Sequence, residues 1–484
     1  MSKAMIALSI DGKPVTAEEG STILDAARQN GIVIPTLCYL KNVSRTGSCR
    51  MCVVEVRGAR NLMTACTTAV RPGMEVFTDT DLVRSSRRET LELLCRDHRM
   101  DCDSCPRYTD CEFHYWIGQC GADDSRYGTC RRLPEKDETS PAIAMDSSKC
   151  ILCRRCVQAC HLATGLDILS IFGRGAEERV GALTSLGSTG CIGCGQCVTA
   201  CPSGALYERD DTQKVWNALE HDRHVTVLLS RFAGACIGEA FHDPIGTNRF
   251  GRAVSMLRKM GCAEVLDLDG MLGTYAKACA EEISRRKARV LSSRCPAAAA
   301  WIRAAHPEAA SLLSDVPSPA VMAARMIRAH EPDSFIVSVT PCTAEKMNAD
   351  PAADAVITTR ELAAMVNRAC VSRYTACRVW DSLEDGTPDS WPQEAERAGE
   401  DADGSLLDAV RSRSGLPADA FRQLQIAGAD PSEFMKDAEQ PGCLEIMACP
   451  DGCIAGGGQL SVAGTDQILA SAADGRAAGL GRAE

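Results

Sequence analysis

The stretch LEIMACPDGCIAGGGQL, residues 444–460, places Cys449 and Cys453 at C-x3-C spacing behind an apolar, strand-like run. It runs into Gly456, Gly457 and Gly458, where the missing side chain lets backbone approach a bulky group closely. Two thiols this close in a chain of 484 residues point to a metal site. The 28 cysteines fall largely in tight groups, not at the scattered spacings of a secreted disulfide scaffold. Thiolate ligation of metal is therefore the chemistry to expect.

Cys38, Cys49, Cys52 and Cys66 follow C-x10-C-x2-C-x13-C, with Gly47 letting the loop curl. Four thiolates on one loop-and-strand surface can hold a [2Fe-2S] cluster; structural zinc is the alternative, although zinc sites usually come as two C-x2-C knuckles. His98, Cys102, Cys105 and Cys111 come next as H-x3-C-x2-C-x5-C. Three sulfurs and an imidazole suit tetrahedral zinc as readily as iron, and spacing does not choose between them. His114 reads as a surface histidine, and Cys120 and Cys130 lie in a polar connector without a ligand pattern.

Two C-x2-C-x2-C-x3-C runs follow: Cys150, Cys153, Cys156, Cys160, then Cys191, Cys194, Cys197, Cys201 with Pro202 behind. This is the pattern of a two-cluster bacterial ferredoxin, in which the fourth cysteine of each run serves the other cluster. The expected [4Fe-4S] sets are Cys150, Cys153, Cys156 with Cys201, and Cys191, Cys194, Cys197 with Cys160. Small residues in CIGCGQC let backbone N–H groups point at cluster sulfur.

These ligands need scaffolds. Residues 6–10 alternate into the Asp11-Gly12 turn, a hairpin signal; Ser21 or Thr22 caps a helix through Gln29 that Asn30-Gly31 ends. Residues 82–96 have helical periodicity. Beyond about residue 215, apolar runs at 225–229, 264–268, 334–339 and 355–359 read as strands. Helical stretches at 249–260, 273–286, 296–305, 319–329 and 359–369 separate them, which argues an α/β domain. Cys295 in VLSSRCPAAAAW and Cys342 in VSVTPCTAEK each sit beside a proline at a strand end, where loops of an open α/β sheet converge on a ligand crevice. Residues 381–404, acidic and rich in Gly, Ser and Pro, read as an exposed loop. The expected domains are 1–78, 79–138, 139–212 and 213–484.

A net charge of -11 makes nucleic acid an unfavoured partner. No run reaches the length and apolarity of a spanning helix, and MSKAMIALSIDGK lacks the charged and apolar regions of a signal peptide, so a cytoplasmic chain with no membrane contact is expected. Aromatic residues make up only 4% of the chain; bound clusters would substitute for that bulk.

The order of a [2Fe-2S] loop domain and then a site of one histidine and three cysteines resembles the start of the complex I large iron-sulfur subunit and of multi-cluster [FeFe] hydrogenases. That order implies a His-ligated [4Fe-4S] cluster on His98, Cys102, Cys105 and Cys111. The segments around Cys295, Cys342 and Cys449 to Cys453 resemble the three signature segments of the [FeFe]-hydrogenase catalytic domain, and DAVITTREL, residues 354–362, follows the second as in that family. The resemblance runs to Gln459. It implies a multidomain α+β and α/β fold: a β-grasp ferredoxin-like [2Fe-2S] domain, a His-cluster domain, a two-cluster ferredoxin domain and a C-terminal hydrogenase-like α/β domain. It also implies that Cys295, Cys342, Cys449 and Cys453 hold a [4Fe-4S] cubane. In the family, the last of these bridges to a two-iron unit carrying CO and CN, where hydrogen is made or split.

The chain departs from the family around that two-iron unit. Arg294 stands where the family has a proton-relaying cysteine, and a guanidinium stays protonated at any working pH. Thr340 replaces a methionine, and Glu345 replaces a lysine that hydrogen-bonds a cyanide; a carboxylate there would repel it. SRFAG puts Arg231 and Phe232 where the family has small residues, and the two proton-path glutamates fall near Cys279 and Glu282. Arg294, Glu345, Arg231, Phe232 and Cys236 are the expected pocket residues, with Glu239 and His242 as further proton-donor candidates.

The favoured expectation is an iron–sulfur oxidoreductase subunit that relays electrons through one [2Fe-2S] and four [4Fe-4S] clusters and lacks a standard two-iron unit. No G-x-G-x-x-G follows a strand, so NAD(P)H would need a flavin partner subunit; other iron–sulfur subunits or soluble ferredoxin are the other expected partners. The alternatives are an active but divergent [FeFe] hydrogenase, and a hydrogen or redox sensor. Cys95, Cys120, Cys130, Cys236, Cys262, Cys279, Cys370, Cys377 and Cys443 carry no assignment and read mostly as small buried hydrophobes.

Overall fold

The structure, a computed structural model, describes residues 4–128, 135–244, 247–347, 352–370, 373–391, 406–426, 439–449, 456, 457 and 459. Cys130 and Cys453 lie outside the described residues.

The chain opens with a hairpin, β1 (Met5–Ile10) and β2 (Lys13–Glu18), and helix α1 (Ile23–Gln29). Thr22 caps α1: its hydroxyl accepts from the Asp25 N–H at 3.1 Å while the Asp25 carboxylate accepts from the Thr22 N–H at 3.0 Å, a reciprocal capping box. With β3 (Val53–Val56), β4 (Met63–Thr64) and β5 (Glu75–Phe77) the strands form a sheet in the order β2-β1-β5-β3-β4. Ile10, Ile23, Leu24, Val54 and Val76 fill the space between sheet and helix.

Helix α2 (Asp81–Asp97), capped by Thr80, leads to two short 3-10 turns and α3 (Glu112–Cys120). The next segment has β6 (Lys136–Asp137), β7 (Ile143–Asp146), α4 (Arg155–Thr164), the hairpin β8 (Leu169–Phe172) with β9 (Arg179–Ala182), α5 (Gln196–Ala200) and β10 (Leu206–Glu208). β10 pairs antiparallel with β7, which ties the end of the second cysteine run to the start of the first.

From α6 (Thr212–Glu220) onward strands and helices alternate: β11 (Val225–Leu229), α7 (Arg231–Cys236), α8 (Phe250–Lys259), β12 (Glu264–Asp267), α9 (Leu272–Arg286), β13 (Arg289–Leu291), α10 (Pro296–Ala305) and α11 (Pro319–His330). They continue with β14 (Phe335–Thr340), β15 (Ala355–Thr358), α12 (Thr359–Ala369), α13 (Arg373–Asp381), α14 (Leu406–Ser414), β16 (Phe421–Gln425) and β17 (Gly442–Met447). The strands build two parallel sheets, β12-β11-β14-β15 and β13-β17-β16. VTVLL of β11 is buried at every position because both faces are covered: Val225, Val227 and Leu229 pack in one core, Leu228 in another.

The expected strands and helices of this region are present to within a residue or two. The described part of the expected exposed loop, residues 381–391, is irregular beyond Asp381 and holds no buried residue, but it is anchored at its end. Asp381 ends α13, Asp389 bridges to Leu266 beside β12, and the Trp391 indole donates to the Asp267 carbonyl at 2.7 Å. The acidic character read as solvation hid one carboxylate, Asp389, that accepts from the Val265 N–H at 2.8 Å.

Candidate metal centres

The first four cysteines meet at one end of the N-terminal sheet. The Cys38 N–H donates to the Cys49 sulfur at 3.3 Å, and the Cys52 and Cys66 sulfurs are 3.3 Å apart. Positive φ at Gly47 (64°) and Arg50 (61°) curls the loop that brings them together. Contact with Cys38 and burial push the Cys49 thiol well up; contact with Cys52 and burial do the same to Cys66. The same sulfur contacts pull Cys38 down to about 4 and lower Cys52, so thiolate charge collects among four crowded sulfurs, which a bound iron or zinc would offset.

His98 caps the C-terminal end of α2 and faces Cys102, Cys105 and Cys111 across a small cavity of about 10 Å³. Its Nδ1 lies 2.9 Å from the Lys149 carbonyl, which fixes the tautomer with N–H on Nδ1 and leaves the Nε2 lone pair toward the cavity. Burial holds the imidazole pKa down to about 4, so the ring is neutral, as a metal ligand must be. His114 is exposed.

The two ferredoxin-type runs share a backbone pattern. Leu152 and Arg154 in the first, and Gly193 and Gly195 in the second, hold the same places after the leading cysteine, and all four have positive φ. Such turns form a nest of N–H groups that favours anionic sulfur; the Leu152 N–H donates to the Cys150 sulfur at 3.4 Å. Cys201 lies within electrostatic reach of Cys153 and Cys156, and Cys160 of Cys191, Cys194 and Cys197. The latter four line a cavity of about 20 Å³. Cys156 and Cys201 also lie within electrostatic reach of Cys197, so the two groups of sulfur adjoin. Burial pushes the Cys194 thiol up to about 12.

The last site is assembled from strand ends of both parallel sheets. Cys295 is the N-cap of α10 after β13, Cys342 follows β14, and Cys449 follows β17. The three line one cavity of about 80 Å³, several times the volume left at the His98 and Cys160 sites. Its wall includes Ser230, Phe232, Asp269, Arg294, Thr340 and Glu345.

The Arg294 Nη1 lies 3.2 Å from the Glu445 carboxylate. Glu345 accepts hydrogen bonds from the Thr340 hydroxyl at 2.9 Å and the Ser338 hydroxyl at 3.3 Å; burial pushes its carboxyl up to about 7. Two expected pocket residues are elsewhere. Arg231 turns out of α7, half exposed, to Asp267 and Asp269, and Cys236 is buried a turn further along the helix; neither belongs to the cavity's described lining. A residue and its successor on a helix face different ways, so Phe232 enters and Arg231 does not. Glu239 is buried and His242 exposed, also outside that lining. Glu282 is buried, accepting from the Ser314 hydroxyl and from the Asp315 N–H at 2.9 Å, and Cys279 is buried near it.

The Cys194 and terminal sites adjoin. Gly195 packs against Gly457 so closely that a Cβ on Gly195 would lie 2.4 Å from the Thr343 hydroxyl and 2.8 Å from the Gly457 Cα. Cys194 and Cys295 interact electrostatically across this contact. Three buried arginines were missed by sequence reasoning. Arg107 donates to Asp110 and to the Val198 carbonyl, Arg155 to Glu112 and the Tyr39 carbonyl, and Arg360 to Asp110 and Glu208. Asp110 and Glu112, on either side of Cys111, were the available signal.

A fold with clustered sulfur donors along its length and a strand-end crevice at its last site defines an iron–sulfur oxidoreductase. Residues 3–81 match the 2Fe-2S iron-sulfur cluster binding domain family, residues 149–205 the 4Fe-4S dicluster domain, and residues 223–415 the iron only hydrogenase large subunit, C-terminal domain. The chain is 32% identical to NADP-reducing hydrogenase subunit HndD of Solidesulfovibrio fructosivorans, across 94% of this chain and 89% of that one. It is 30% identical to iron hydrogenase 1 of Clostridium pasteurianum, with the same coverage. NADPH-Fe(3+) oxidoreductase subunit alpha of Geobacter sulfurreducens is 37% identical over 205 residues, 42% of this chain and 24% of that one. The chain belongs to the iron-only, or [FeFe], hydrogenase family. Among the described residues no helix is long and apolar enough to cross a membrane.

Proposed function

We propose that this chain is the electron-relay subunit of a multi-subunit oxidoreductase and ends in a cubane without the family's two-iron unit. Five ligand sets carry the relay: Cys38, Cys49, Cys52, Cys66 for a [2Fe-2S] cluster; His98, Cys102, Cys105, Cys111; Cys150, Cys153, Cys156, Cys201; Cys160, Cys191, Cys194, Cys197; and Cys295, Cys342, Cys449, Cys453 for [4Fe-4S] clusters. When bound, such clusters supply one-electron steps. The protein's part is to hold the sulfurs, orient N–H groups toward them, and keep water out. The relatives named as NADP- and NADPH-linked subunits support a partner subunit that handles the nicotinamide nucleotide, for which this chain's lack of a G-x-G-x-x-G after a strand calls for a flavin on that partner; soluble ferredoxin is the other candidate donor.

The observation that carries the reading is the wall of the terminal cavity. Arg294 is paired with Glu445, and Glu345 is tied to the Thr340 and Ser338 hydroxyls, so these positions offer neither the family's exchangeable thiol proton nor the lysine ammonium that would face a cyanide nitrogen. Asp269 adds a further carboxylate to the wall. An active, divergent hydrogenase is the second reading, favoured by buried Glu282, near which one of the family's proton-path glutamates falls.

Replacing Cys150 by Ser tests the relay. Iron content should fall by about four atoms per chain, the size of one [4Fe-4S] cluster, and reduction of the Cys295 site by an external donor should stop. Unchanged reduction of that site would refute a linear relay.

A further inference from the structure

Cys111 is flanked by two buried carboxylates, and each is held by an arginine from a different part of the chain. On one side Asp110 accepts from the Arg360 Nε at 2.8 Å, and from the Arg107 Nε at 2.8 Å. Arg360 begins in α12, and its other nitrogens reach Glu208, the Gly457 carbonyl at 3.3 Å and the Gln459 carbonyl, in the segment that follows Cys449. On the other side Glu112 receives both of its oxygens' bonds from the Arg155 Nη1, at 2.9 and 3.1 Å. Arg155 lies between Cys153 and Cys156, and its Nη2 donates to the carbonyl of Tyr39, next to Cys38, at 2.7 Å. All four side chains are nearly inaccessible to solvent. A single cysteine segment is thus tied to the segments carrying ligands of three other sites.

We propose that Asp110 and Glu112 are positioning residues that lock the His98 and Cys111 site in register with the [2Fe-2S], ferredoxin and terminal sites, each through one buried arginine. The inference rests on the iron–sulfur reading of those sites. A buried charge left without its partner is strongly unfavourable, so each pair forms only when both segments are seated, and docking becomes all-or-none. The planar guanidinium matters because one group must serve a carboxylate and a backbone carbonyl together, which an ammonium on a flexible stem does not do with the same geometry.

The test uses the full, anaerobically iron-loaded chain in four forms: wild type, Glu112→Gln, Arg155→Lys, and the surface control Asp81→Asn. Iron and zinc content is measured on each, with low-temperature EPR of the dithionite-reduced protein. Both internal variants are expected to keep their iron and lose the magnetic splitting between the His98-site signal and its neighbours, while Asp81→Asn keeps it. Arg155→Lys retains the charge and so reads the outcome even where Glu112→Gln folds poorly. Full iron with wild-type splitting in either variant overturns the proposal alone. Zinc in place of iron at the His98 site of the wild type overturns the reading on which it rests.

Discussion

Arg294 and Glu445 meet at 3.2 Å beside Cys295, one just past the end of β13 and the other inside the neighbouring strand β17. Glu445 is only 5% exposed. Replacing Arg294 by Met leaves that carboxylate buried without a cation, at a cost on the order of 3 kcal/mol. The anaerobic melting temperature of R294M should fall, and R294M/E445Q should recover part of the loss. Equal melting temperatures for wild type and R294M would show that the pair is structurally idle.

Asp269 gives a pH dependence of known sign. Burial and the nearby Asp267 raise its carboxyl to about 6, from an ordinary value of 3.8. The folded state then holds a proton that the unfolded chain releases, so the stabilisation is complete below about pH 4 and is lost as pH rises through about 6. D269N should flatten the stability profile between pH 5 and 7 and be the more stable protein at pH 8, by about 1 kcal/mol after allowance for solvent screening. Urea denaturation at the three pH values measures it; a profile parallel to wild type would contradict the assignment.

Gly195 tests the contact between the Cys194 site and the terminal site. Alanine there must hold a φ of 71°, costing roughly 1–2 kcal/mol, and its methyl would run into Thr343 and Gly457. G195A should separate the two segments and slow reduction of the Cys295 site in freeze-quench EPR, with the [2Fe-2S] signal unaltered. Wild-type rates would place the electron path elsewhere.

What the sequence disclosed, and what it hid, follows from the range of the interactions. Ligand spacing is local, so the groups at Cys38, Cys150 and Cys191 were legible as metal sites, and Thr22 was legible as a cap at the start of α1. Apolar runs such as VTVLL gave the strands of the parallel sheet. The direction of Arg231 was not legible, because its partners Asp267 and Asp269 come from the end of β12, brought near only by sheet pairing. Arg107, Arg155 and Arg360 drew no reading from the sequence, since their burial depends on carboxylates and carbonyls contributed largely from other segments. Leu152 and Arg154 gave no hint of positive φ, whereas Gly193 and Gly195 did.

Infrared spectroscopy of the protein matured with the hydrogenase assembly factors bears most directly on the terminal cavity. With iron at the Cys295 site established by EPR, the spectrum is expected to lack bands from metal-bound CO and CN, because Arg294, Glu345 and Asp269 occupy the wall that the two-iron unit would need. Such bands in stoichiometric intensity would contradict the account and make this chain a hydrogenase with a different proton route.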